Sequence, residues 1–306
     1  MSENRPNPLN DYLFMKYMGE EGDEEQLLDF LSTVLQKTGR DDIVSVKILD
    51  NKHFSAEIKG SKASILDVRA VMNDSTKVNI EVQLQRVGNM DKRSLYYWCR
   101  EYIKGIRSGK DYIKLPQVVS INILGDEFLP IDEVHTSFHL WEDSHKDFML
   151  TNVMEVHFIE MAKFRRLKKK DIEHNKLHRW LAFMDKDTDE NTIKKIIAME
   201  PFIEKAQRKI ARVLQDEDML RIYHNREMAA LDYTSGMNNA RREGIALGEQ
   251  RGIEQGIIIG KQRGIALGEQ KILTKHVSML FQEGWSLEKI MDFTGLSAKE
   301  VNRILK

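Results

Sequence analysis

Residues 78–85 alternate apolar and polar side chains without a slip: Val78, Asn79, Ile80, Glu81, Val82, Gln83, Leu84, Gln85. A period of two predicts a β-strand with Asn79, Glu81, Gln83 and Gln85 on one face and an apolar row on the other. Such a strand needs a sheet and a core to bury against. The 306 residues allow both: 41% are hydrophobic, and 47 Lys and Arg stand against 48 Asp and Glu. Extended disorder, collagen and a mucin-like stalk are thereby excluded. Single cores stop growing at about 250 to 300 residues, so a core of roughly 200 residues plus a smaller unit is expected.

The segments around this strand predict an α/β protein. Leu13, Phe14 and Tyr17, then Leu27, Leu28, Leu31 and Leu35, recur at helical spacing with a break at 19–22, giving two helices. Strand-like segments follow at 44–49 extending to Ile58, at 64–72 and at 77–85. Residues 91–108 read as a helix with Leu95, Trp98, Cys99, Tyr102 and Ile106 on one side, and Gly109 fits its stop. The β-branched run 118–124 reads as a buried strand, and 135–141 and 153–161 as two more. From 170 to about 233 the pattern is helical, and no strand signal returns.

The formal net charge of −1 offers nucleic acid no global attraction, so any such binding must come from local patches. One is basic: Lys163, Arg165, Arg166, Lys168, Lys169 and Lys170. The lone Cys99 can form neither an internal disulfide nor a cysteine-based zinc site, and a reduced compartment follows. No apolar signal region opens the chain, and no run approaches the ~20 residues of a membrane span. A cytoplasmic protein without membrane contact is expected.

Asp67 stands inside the apolar run Ile65, Leu66, Val68, Ala70, Val71, where a carboxylate is costly to desolvate without a cationic partner. Arg69, on the same face, would serve as a structural ion-pair partner. Alternatively, Asp67 and Glu81 converge from neighbouring strands on a divalent metal, since Mg²⁺ prefers hard oxygen ligands and usually takes one or two carboxylates.

Asp67, a spacing of 14 to Glu81, and the Glu81-x-Gln83 pair, set in the order helix, three strands, helix, strand, resemble the PD-(D/E)XK nuclease superfamily. More narrowly, the chain resembles the Rpn family of recombination-promoting nucleases and putative transposases, through 10–16, 65–68, 79–83, 93–98 and 155–164. The resemblance implies a restriction-endonuclease-like αβββαβ core with a mixed sheet. It also implies Mg²⁺-dependent hydrolysis of DNA phosphodiesters, with Mn²⁺ or another divalent cation as a substitute. Asp67 and Glu81 would hold the metal, which polarises the scissile phosphate and acidifies a bound water. Gln83 stands where the superfamily's lysine stands; an amide can position a water or a phosphate oxygen but supplies no charge. Asp11 and Lys16 match the family's opening motif, with helix capping as the alternative role for Asp11.

On the following helix, Arg93, Tyr96, Tyr97, Arg100 and Lys104 recur at spacings of three and four. Such a face suits DNA, the cations neutralising phosphates and the rings stacking on bases, although tyrosines on helices also serve cores. His135 with His139 and His174 with His178 lack a recognisable third ligand, so no zinc site is expected.

Glycine stands at every fourth position from Gly244 to Gly268, and the heptapeptide at 244–250 recurs identically at 264–270. In a helix each glycine costs about 1 kcal/mol against alanine, roughly 6 to 7 kcal/mol for seven. Glycines four apart form a ridge that lets a second helix approach closely, which predicts pairing between two copies; a flexible copied repeat is the alternative. Glu249, Arg251, Glu254, Lys261 and Arg263 exclude a membrane dimer. Beyond it, 273–281, 286–293 and 298–305 read as helices. Gly284 and Gly295 serve as breaks, Ser297 with Glu300 as a capping box, and the last two helices form a helix-turn-helix tail. Its last helix offers Lys299, Asn302, Arg303 and Lys306 to DNA.

Four parts are thus expected: a nuclease-like core at 1–165, a helical extension at 166–235, the glycine-repeat helix at 236–270 and the tail at 271–306. The leading functional reading is a metal-dependent DNA endonuclease with catalytic residues Asp67, Glu81 and Gln83, metal ligands Asp67 and Glu81, and DNA contacts at Arg93, Tyr97, Arg100, Lys299 and Arg303. It acts as a homo-oligomer in recombination or transposition. The alternatives are a non-catalytic DNA-binding accessory protein, in which Asp67 and Arg69 form an ion pair, and an oligomerising regulator that works through its repeat and tail.

Overall fold

The computed structural model describes residues 5–49, 68–86, 88–104 and 111–305. The chain divides into two compact units, Met1–Tyr233 and Thr234–Lys306.

The first unit is built on a mixed six-stranded sheet in the order β1-β2-β3-β4-β6-β5. Its strands are β1 (Val46–Ile48), β2 (Val68–Met72), β3 (Lys77–Gln83), β4 (Val118–Leu124), β5 (His135–Trp141) and β6 (Met149–Glu160). β1, β2 and β3 pair antiparallel, β3, β4 and β6 pair parallel, and β5 lies antiparallel on β6. Parallel neighbours need a crossover, and α3 (Met90–Ile103) supplies it between β3 and β4. Flanked on both sides, β4 is buried along its whole length, as its sequence VVSINIL requires.

Helices α1 (Asp11–Met18) and α2 (Glu24–Leu35) cover one face with α5 (Lys176–Met184) and α7 (Pro201–Gln215). Leu27, Phe30, Leu31, Val34 and Leu35 fall at helical spacing and pack into the same core as Val78, Ile80, Val119, Ile121 and Trp180. Phe30 and Trp180 meet edge to face at 5.7 Å, and the Trp180 indole donates to Asp29 at 2.9 Å. Between α5 and α7 lies α6 (Glu190–Met199), and α4 (Met161–Arg166) follows β6 directly.

Several boundaries differ from the sequence expectation. β3 ends at Gln83 rather than Gln85: the Gly125 N–H donates to the Gln83 carbonyl at 2.9 Å as the ladder to β4 closes, and Gly125 lies close against Leu84. A methyl at Gly125 would stand 2.5 Å from the Leu84 carbonyl oxygen and 2.9 Å from its Cα. Gly125→Ala is therefore expected to lose about 1–3 kcal/mol, the usual range for overpacking. An unchanged urea midpoint would contradict this close approach. β6 starts at Met149, ahead of the expected 153, because its first half pairs with β5 alone and alternates in exposure. The expected strand at 50–58, the start of the next at 64–67 and the helix end at 105–109 lie outside the described residues.

α3 buries Met90, Ser94, Tyr97, Trp98 and Glu101 rather than the expected Leu95 and Cys99, which are exposed. Two contacts set this face: the Trp98 indole donates to the Val118 carbonyl at 2.9 Å, and Glu101 accepts from Arg69 at 2.8 Å.

α8 (Glu217–Gln282) is one 66-residue helix that includes all seven repeat glycines, each with open space where a Cβ would stand. In the second unit Val277, Leu280, Ile290 and Val301 form a small core with α9 (Leu287–Thr294) and α10 (Ala298–Leu305). Gly295 closes α9 at φ +70°, a left-handed backbone that favours glycine. The Ser297–Glu300 capping box forms, the Ser297 N–H donating to Glu300 at 2.9 Å. Among the described residues, no helix is long and apolar enough to cross a membrane.

Candidate active site

Alternation in β3 divides its side chains between the layers: Val78 and Ile80 enter the helical core, while Asn79, Glu81 and Gln83 face α3. Register places Glu81 beside Asn122 of β4, and Asn79 between Arg69 and Ser120. Asn79 donates to Ser120 at 3.1 Å and Asn122 to the His157 carbonyl at 3.0 Å. Among the described residues, this leaves Asn79 Oδ1, Asn122 Oδ1 and Glu81 Oε2 buried without a hydrogen-bond donor.

From the first turns of α3, Arg93 reaches back to the strand. Its guanidinium donates to Glu81 Oε1 and, at 2.7 Å, to Gln83 Oε1, while its Nε donates to the Tyr97 hydroxyl at 3.2 Å. Gln83 in turn donates to the Gln85 carbonyl at 2.9 Å, so both ends of its amide are fixed. Burial pushes the Glu81 carboxyl up to about 7, against the opposing pull of Arg93.

Glu81, Gln83 and Arg93 line a cleft of about 520 Å³. Its other walls are the start of α1, with Asn10, Asp11 and Tyr12, and the start of α8, with Arg226, Glu227 and Tyr233. Asn10 joins the two by donating to Glu227 at 2.7 Å, and Asp11 pairs with Arg226 at 3.3 Å. Asn10, rather than Asp11, caps α1, accepting from the N–H groups of Tyr12 and Leu13. Lys16 pairs with Glu20. Nothing local in the sequence marks Arg226, Glu227 or Tyr233 as cleft residues; only the tertiary fold brings them there.

The structure thus gathers Glu81, Gln83, Arg93 and Tyr97, while Asp67 lies outside the described residues. Tyr97 is only 5% exposed, so its ring is a floor for the guanidinium, 5.5 Å away, and not a surface for a base. Tyr96 is the exposed ring of this helix, with Arg100 over it at 5.7 Å. Lys299 and Arg303 are exposed on α10 of the second unit. His135 bonds not to His139 but to His157, at 2.8 Å, and His157 bonds to Glu155 at 2.7 Å, a buried chain on the opposite face of the sheet.

Among the described residues, no three His, Cys, Asp or Glu side chains form a metal-binding group. A buried carboxylate with one oxygen lacking a donor nonetheless suits a hard divalent cation, provided a further ligand joins it. Residues 8–240 match the family of PD-(D/E)XK nuclease family transposases. No curated protein and no solved structure matches the chain. With the mixed sheet, its α3 crossover and Glu81-x-Gln83 on the central strand β3, this match over most of the chain assigns it: the protein belongs to the PD-(D/E)XK nuclease family transposases.

Proposed function

We propose that the chain is a divalent-metal-dependent DNA endonuclease that hydrolyses phosphodiester bonds in recombination or transposition. The observation that carries this reading is Glu81: a buried carboxylate whose Oε2 lacks a donor among the described residues, on a cleft beside Gln83 and Arg93. Asp67 and Glu81 would hold Mg²⁺, or Mn²⁺ in its place. Once bound, such an ion supplies Lewis-acid charge to a phosphodiester and lowers the pKa of a water. Gln83 orients a water or a phosphate oxygen through its amide, which Arg93 and Gln85 hold in place. Thermal unfolding in Mg²⁺ tests the site: the wild type is expected to be stabilised by the ion and Glu81→Ala not. Equal shifts in both would favour the non-catalytic accessory reading.

The remaining DNA contacts belong to the same proposal. Arg100 with Tyr96 extends the site along α3, and Lys299 and Arg303 on α10 form the contact face of a helix-turn-helix. Replacing both tail cations by alanine is expected to weaken binding alike for all sequences and to lower the salt dependence by about two phosphate contacts. An unchanged salt slope would remove the tail from the interface. The glycine ridge of α8 is the proposed seam between two copies, its exposed Ile245, Ile253 and Ile257 gaining cover on pairing. A chain ending at 235 should sediment as a monomer where the full chain sediments as an oligomer; two equal masses would refute the seam.

A further inference from the structure

We infer that Arg93 is the cation of this site, supplying from α3 the positive charge that Gln83 lacks on β3. The inference rests on the endonuclease reading above and adds a residue to it. A phosphodiester entering the cleft brings negative charge toward Glu81, and a neutral amide at 83 does nothing to offset it. Three other cations near the site are engaged elsewhere: under α3, Arg69 donates to the Glu101 carboxylate at 2.8 Å and Lys77 to the Glu101 carbonyl at 3.1 Å, and on the far wall of the cleft Arg226 pairs with Asp11 at 3.3 Å. Arg93 has its side chain 28% exposed and its guanidinium fork spanning both functional residues of β3.

The geometry uses what distinguishes a guanidinium from an ammonium. Three N–H groups of one plane reach Glu81, Gln83 and Tyr97, with the Tyr97 ring beneath the charge. Arg93 therefore positions Gln83 and partners the Glu81 carboxylate at once. Arg93 also lines the cleft, where a phosphate oxygen would meet it. Placed on Glu81 beforehand, this charge also opposes a second cation there, so the same residue that favours the phosphate weakens the hold on the metal.

Mn²⁺ binding to the full chain, measured without DNA by calorimetry, tests this apart from cleavage. Arg93→Gln is expected to bind Mn²⁺ about tenfold more tightly, because a like charge has left the site, and Arg93→Lys within about twofold of the wild type. Under saturating Mg²⁺, Arg93→Gln is expected to lower kcat for DNA cleavage at least about a hundredfold, as the loss of one fixed donor to developing charge does. Its DNA affinity should fall as one phosphate contact is lost, and Arg93→Lys, which keeps the charge without the fork that holds Gln83, should recover part of the rate, whereas a purely structural brace would not be rescued by a charge of another shape. Wild-type Mn²⁺ binding that Arg93→Gln leaves unaltered, or full cleavage in Arg93→Gln, would overturn this inference alone. A wild type that binds no Mn²⁺ would overturn the endonuclease reading and the inference with it.

Discussion

Glu81→Gln is expected to lower metal-dependent cleavage at least about a thousandfold while making the metal-free protein more stable. The loss of rate follows from the loss of a charged ligand, since a metal's stabilisation of transition-state charge amounts to several kcal/mol and each 1.36 kcal/mol is tenfold. Shape is conserved, and the amide oxygen still accepts from Arg93. The gain in stability follows from burial. The Glu81 carboxyl sits at about 7 against an ordinary 4.5, so the folded chain holds this proton more tightly than the unfolded one. The stability this contributes is fully present below 4.5 and is lost as pH rises through about 7. At pH 8 the buried charge is a burden that glutamine lacks, and a gain on the order of 2 kcal/mol is expected in urea unfolding. An inactive variant that is also more stable cannot owe its inactivity to misfolding. A variant that cleaves, or one that is less stable at pH 8, would contradict this account of the site.

Between pH 6.5 and 4.5 the stability gained at Glu81 offsets the stability lost at a buried imidazole on the opposite face of the sheet, so acid unfolding is expected to set in below about 4.5. His135 lies 7% exposed against His157, and burial pulls its imidazole down to about 3. The unfolded chain takes up this proton near 6.5 and the folded one does not, so the contribution is complete above 6.5 and is lost as pH falls toward 3. Glu155 extends the loss. Burial pushes its carboxyl up, but bonds from His157 and Thr38 and the charge of Arg40 outweigh this and hold it at about 2. Its contribution is present above 4.5 and is lost as pH falls through that value toward 2. One such proton is worth about 1.4 kcal/mol per pH unit. His135→Gln should therefore lower the slope of unfolding free energy against pH between 6 and 4 by about that amount per unit. An unaltered slope would show that the histidine chain does not govern the acid limit.

The parts of the fold legible in the sequence are those in which one face of an element is buried and the other is not. Residues 78–83 alternate because Val78 and Ile80 enter the core while Asn79 and Glu81 face α3, and Leu27, Phe30 and Leu31 recur because α2 lies against the same core. What escaped is set by partners distant in sequence. Ser94 and Glu101 are polar yet buried because α3 seats Trp98 on Val118 and Glu101 on Arg69, which turns Leu95 outward. The spacing of His135 and His139 showed one face of a strand, but the partner, His157, arrives on another strand. The pairing of Asn10 with Glu227 spans 217 positions, and no local pattern announces that the start of α8 walls the cleft. The role of Arg93 was half visible: helical spacing placed it on a basic face, and only the structure turns it onto Glu81 and Gln83.

The most direct test is to incubate the full chain with supercoiled plasmid, with and without Mg²⁺, beside Asp67→Ala. Nicking or linearisation that requires Mg²⁺ and disappears in Asp67→Ala is the predicted result. DNA that is shifted on a gel but left uncut by the wild type, or cut equally by Asp67→Ala, would contradict the assignment.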